Sequence, residues 1–200
     1  MEENLSKEES LKIINEMILK VKNSHYESGT GPLLWGSVIF ICSIVTFLQL
    51  EYHFDIGFDI WWLTFVAVVP QVYITIKCRK QKKFRGYTDT AMDYIWMTFA
   101  VSIALLIHYN AHVHHPGENV PLFLILYGIP TLITAGVKNF KPMLYGGIVT
   151  WIAAIITVYT NLSTDLLLMA ISALCAWFVP GIILRRRYLK LLQNQQQHGV

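Results

Sequence analysis

The chain has 200 residues, of which 54% are hydrophobic, 13% aromatic and only 14% charged, with a formal net charge of +3. Soluble domains carry about 25% charged residues, and the mean hydropathy here is +0.44, so the bilayer and not water is the solvent this composition fits. The small positive charge is no nucleic-acid signal, because the basic residues are distributed as flanks of apolar runs, beside anionic lipid headgroups.

The first 28 residues are polar. Ser6-Lys7-Glu8-Glu9 has the form of a capping box. From there Glu8, Lys12, Glu16 and Lys20 alternate in sign at spacing four, while Leu11, Ile14, Ile18 and Val21 form an apolar stripe. The pattern predicts a cytoplasmic amphipathic helix, ended by Ser28-Gly29-Thr30-Gly31-Pro32. It either lies on the inner headgroups or packs on the protein's own loops, or it serves as a docking or dimerisation helix. The opening MEENLSKEES has no basic region of the signal-peptide kind, so no cleavable leader is predicted.

Six continuously apolar stretches follow, at 32–50, 60–76, 91–109, 121–137, 143–160 and 164–184. Spanning hydrocarbon takes about 20 apolar residues per helix. Barrel strands would alternate polar and apolar instead, so the expected class is all-α: a polytopic membrane protein with six transmembrane helices. The expected division is 1–28 as helix and linker, 29–185 as the six-span domain and 186–200 as a cytoplasmic tail.

Lysine and arginine near a span resist translocation. Lys7, Lys12, Lys20 and Lys22 precede the first span, Lys77, Arg79, Lys80, Lys82, Lys83 and Arg85 follow the second, Lys138 and Lys141 follow the fourth, and Arg185, Arg186, Arg187 and Lys190 follow the sixth. These are all 16 basic residues, and loops 51–59, 110–120 and 161–163 hold none. Both termini are therefore expected in the cytoplasm. Cys42, Cys78 and Cys175 form no CxxC motif, and no disulfide is expected. Asn161-Leu162-Ser163 matches a glycosylation sequon, discounted because its loop is too short to lift the asparagine clear of the membrane.

The stretch GTGPLLWGSVIF, preceded by SKEESLKIINEMILKVKN, resembles small six-span bacterial inner-membrane proteins with no assigned activity. The resemblance covers the N-terminal helix and the first span. It implies a bacterial inner-membrane location and brings no site residues with it.

Internal landmarks recur. Pro32, Asp93 and Pro142 each stand three residues before an interfacial aromatic, and Pro70, Pro130 and Pro180 follow them by 38, 37 and 38 positions. Two explanations stay open: three tandem copies of one helical hairpin, or the ordinary preference of aromatics for interfaces and the tolerance of membrane helices for proline. A proline removes one backbone donor, so Pro70, Pro130 and Pro180 are expected structural kinks.

The third span runs into IHYNAHVHHPGEN. His108 and His112 share a helix face if helix persists that far, and His114 and His115 follow. Imidazoles at this spacing can chelate zinc or copper, with Glu118, Glu51, His53 and Asp55 as further candidate ligands. A pH-responsive loop or a plain interfacial turn are the alternatives. Apart from this cluster no cofactor is expected.

Within the spans, Asp93 is expected to cap the third helix or pair with Lys83 or Arg85. The hydroxyls and amides of Ser43, Thr46, Gln71, Ser102, Thr131, Thr134, Thr150, Thr157 and Ser172, with the small pairs Ala100/Ala104 and Ser172/Ala176, are expected to serve interhelical packing. Intramembrane ionisable groups of the transport kind are nearly missing from the sequence. Walker, GxSxG and dinucleotide motifs are absent as well.

The expectation is a non-catalytic sensory, scaffolding or regulatory module, whose partners are the bilayer and a cytoplasmic protein or further copies of itself. The alternative is a small pore or uncoupled transporter for a metal ion captured at the outer histidines. A membrane enzyme with a metal there is the third reading.

Overall fold

The computed structural model describes residues 28–81, 87–112 and 119–197. The predicted amphipathic helix and its capping box, Lys82, Lys83 and Arg85, and His114 and His115 lie outside them. The described residues are all-helical: α1 (Thr30–Tyr52), α2 (Trp62–Gln81), α3 (Tyr87–His112), α4 (Val120–Val137), α5 (Lys141–Ile156), α6 (Leu162–Ala173), a π-helical segment (Leu174–Phe178) and α7 (Val179–Gln197). No strand occurs among them.

Local chemistry sets the boundaries. Gly29 enters α1 with φ 69°, and His53 leaves it with φ 52°. Pro121 and Pro142 stand in the first turns of α4 and α5, where a missing N–H costs nothing and the fixed φ favours helix. Asn161 caps α6, its side chain accepting from Thr164 N at 3.1 Å and from Thr164 Oγ1 at 2.8 Å. The sequon asparagine is therefore a helix cap.

Four helices are long and apolar enough to cross a membrane: Thr30–Tyr52, Tyr87–His112, Val120–Val137 and the continuous Leu162–Gln193. Two apolar stretches fall outside that set for local reasons. Helix α2 ends in Lys77, Arg79 and Lys80. Helix α5 has 16 residues and stops at Ile156, short of the predicted 160, although backbone turns at Thr157, Val158 and Tyr159 prolong it. Helix α3 begins at Tyr87, earlier than the predicted 91. Asp93 therefore sits inside the helix and does not cap it; it pairs with Arg79 of α2 at 3.1 Å.

The centre of the bundle is α1, α4, α5 and the long α6–π–α7 element. Ile39, Leu124, Ala153, Ala154 and Met169 form its main buried cluster. Helix α2 packs on α1 through Ala67, Val38 and Cys42, and α3 packs on α4. Because α3 uses one face for α4, Ala100 and Ala104 stay exposed, against the expectation that they form an interface. The other small pair, Ser172 and Ala176, is buried as expected.

Antiparallel packing gathers like ends together. Gly29 lies against Gly181 and Arg185, and Phe140 packs with Ile183 and Leu184, so the basic residues of α2, α7 and the α4–α5 turn share one end of the bundle. His53, His108, His112, Asn119 and Asn161 stand at the other ends of their helices.

Candidate functional site

The most unusual local geometry lies where α6 becomes α7. Val179 N–H donates to Leu174 O, five residues back, in place of the α-helical partner Cys175 O. The next residue, Pro180, has no N–H. In this register Cys175 O is left with neither an i+4 nor an i+5 donor from its own helix, and Ala176 O loses its i+4 donor. The widened turn is thus the backbone's response to Pro180. Helix α2 runs as continuous α-helix through Pro70, and α4 through Pro130.

Two glycines make room for the π segment. A Cβ on Gly146 of α5 would stand 2.3 Å from Cys175 O and 2.4 Å from Ala176 Cα. A Cβ on Gly36 of α1 would stand 2.7 Å from Phe178 N. No side chain fits at either position. The close approach also brings the Gly146 Cα–H face onto the orphaned Cys175 carbonyl, a weak hydrogen-bond geometry common between membrane helices.

Beside this segment lies a recess lined by Trp35 and Ile39 of α1, Tyr127 of α4, Thr150 of α5, and Ser172 and Trp177 of the last span. About 20 Å³ of it is available to the centre of a water-sized body. Trp177 is the pivot of its aromatic wall, with ring centroids 5.3 Å from Tyr127 and 5.5 Å from Trp96 in edge-on arrangements. Phe99 completes the cluster, 5.2 Å from Tyr127. Trp177 Nε1 donates to Thr131 Oγ1 at 2.9 Å, and Thr131 Oγ1 donates to Tyr127 O at 2.7 Å.

Six hydroxyls within the helices bond back to the carbonyl four residues earlier: those of Ser37, Thr46, Thr75, Ser102, Thr131 and Thr150. Ser172 does not. Its Oγ is buried and has no hydrogen-bond partner among the described residues, as is also true of Ser43 Oγ, Gln71 Oε1 and Asn110 Oδ1.

His108 and His112 occupy the end of α3. The rings of His108 and His112 stand 4.3 Å apart, and His112 Nδ1 lies 2.8 Å from His108 O. Helix therefore persists through His112 and puts both imidazoles on one face, exposed. Among the described residues no three His, Cys, Asp or Glu side chains gather in a metal-holding group.

Asp165 was not singled out in the sequence, although an acid opening an apolar run is a visible signal. It is 4% exposed, lies in the first turn of α6 and accepts from Thr160 Oγ1. A carboxylate there meets the positive end of the helix dipole. At the basic end, Arg187 sits over the Phe140 ring, 5.3 Å from its centroid. Pro70 is exposed on α2, whereas Pro130 and Pro180 are buried.

Compared with known proteins, the chain matches no family model, no curated protein and no solved structure.

Proposed function

We propose that the chain is a six-span bacterial inner-membrane protein with both termini cytoplasmic, acting as a non-catalytic regulatory or scaffolding module. In this reading α2 and α5 join the four long apolar helices as spans. Residues 1–28 and the tail 186–200 meet a cytoplasmic partner or a second copy of the chain.

One observation carries the reading. The start of α1 is clamped to α7 at Gly29, Gly181 and Arg185, directly below the Pro180 irregularity. The start of α1 and the first turns of α7 are thus held side by side, next to the part of the last span whose backbone ladder is interrupted. A bend at the π segment would move both together, which is what a module linking membrane and cytoplasmic events requires.

A second reading, a small pore or uncoupled metal transporter, is favoured by the adjacent rings of His108 and His112. With His114 or His115 the pair would reach the three ligands that zinc or copper commonly takes from protein.

Flux separates the two. Proteoliposomes loaded with a zinc-sensitive dye should show no zinc entry above protein-free vesicles. In cells, photo-crosslinkers placed in 1–28 and in 186–200 should give the same discrete adduct. Zinc influx that disappears when His108 and His112 are both replaced by alanine would overturn the regulatory reading in favour of the second.

A further inference from the structure

We propose that Ser172 binds a single ordered water molecule in the recess beside the π segment. The ligand class is a neutral hydrogen-bonding molecule of water's size. The site is built from the last span, α5, and the aromatic wall of α1 and α4.

Four observations converge. Ser172 is 3% exposed and its Oγ has no partner among the described residues. Leaving a buried hydroxyl unpaired costs about 1–3 kcal/mol. Six other helical hydroxyls escape that cost by bonding to the preceding turn, so the conformation of Ser172 calls for a partner in the recess it lines.

The recess has the right size. A buried water needs roughly 10–15 Å³ of space for its centre and two to four polar neighbours; about 20 Å³ is present.

The lining is mostly apolar, and its polar groups come from few residues. Thr150 lines the recess, and its Oγ1 donates its proton to Gly146 O at 3.0 Å, so it keeps lone pairs that can accept from water. Ala176 also lines the recess, and its carbonyl has lost its i+4 donor to Pro180. Membrane helices tolerate proline where serine side chains, ordered waters and local π turns compensate the lost bond; here the π turn is present and Ser172 stands four residues before Ala176, in reach of a bridging water.

Radiolytic footprinting tests the site. A short X-ray pulse makes hydroxyl radicals from bound water in place, and these oxidise the nearest sulfur and indole groups. Met169 lines the recess and is 5% exposed, whereas Met143 is equally buried at 4% but lies in another cluster. In the full-length protein in nanodiscs, Met169 and Trp177 should be oxidised several-fold more than Met143. Ser172→Ala should bring Met169 down to the level of Met143, and Ser172→Thr, which keeps the hydroxyl, should restore it. Equal oxidation of Met169 and Met143 in the wild-type protein would show a dry or lipid-filled recess and overturn the proposal without recourse to any variant. Undiminished Met169 oxidation in folded Ser172→Ala would overturn Ser172 as the binding group.

Discussion

Trp177 and Thr131, 46 positions apart in sequence, share a 2.9 Å hydrogen bond that ties the π segment of the last span to the middle of α4. Thr131→Val keeps the shape of the residue but leaves the indole N–H of a 5% exposed tryptophan without its acceptor. The expected cost is about 1–3 kcal/mol, seen as a lower unfolding midpoint in mild detergent. Adding Trp177→Phe to Thr131→Val should cost less than the sum of the two single changes, because the orphaned donor is then gone. Full additivity would mean that the bond does not couple the two helices.

The glycine at the π segment makes a sharper contrast. Gly146→Ala puts a methyl group 2.3 Å from Cys175 O, backbone that cannot rotate away. Gly136 has no neighbouring atom within 4 Å of the same position. Gly136→Ala should therefore be neutral or slightly stabilising through helix propensity, worth up to about 1 kcal/mol. Gly146→Ala should lower the unfolding midpoint markedly, by the 1–3 kcal/mol typical of overpacking, in order of magnitude. Equal midpoints for the two variants would contradict the close approach.

At the start of α6, Asn161→Ala removes the acceptor for Thr164 N, and losing an N-cap of this kind costs about 1 kcal/mol. Asn161→Asp should retain most of it, since aspartate caps equally well and faces the positive end of α6. Thermal unfolding of the three proteins side by side checks the order.

Much of the architecture was legible because bilayer thickness imposes long apolar runs, and each of the six runs lies mainly in helix. Pro180 was legible as a disturbance, but its outcome was not. Whether a proline bends a helix or converts the preceding turn to π depends on what packs beside it, here Gly146 and Gly36 from helices distant in sequence. The same limit hid the recess: Ser172 and Thr150 are ordinary mid-span hydroxyls until a fold places them on one cavity. Ala100 and Ala104 illustrate the opposite error. Small residues four apart permit close packing without requiring it, and only the choice of face on α3 decides. A cap at Asp93 supposes a helix start near 91; its other expected partners, Lys83 and Arg85, lie outside the described residues. Once α3 begins at Tyr87, the carboxylate faces Arg79.

That ion pair should matter little to stability. The side chains of Arg79 and Asp93 are 52% and 37% exposed, and pairs this open contribute less than about 1 kcal/mol. Asp93→Asn should leave the unfolding midpoint within that range, in low and high salt alike. A large loss would mean that Asp93 holds more of the α2–α3 end together than its exposure allows.

The central claim is six spans with both termini in the cytoplasm, and cysteine labelling reads it directly. In intact cells or spheroplasts, Asn119→Cys at the start of α4 and Asn161→Cys at the start of α6 should react with an impermeant thiol reagent. Native Cys78, near the end of α2 beside Lys77, Arg79 and Lys80, should react only after the membrane is permeabilised. Labelling of Cys78 from outside, with both engineered cysteines protected, would invert the topology and contradict the account.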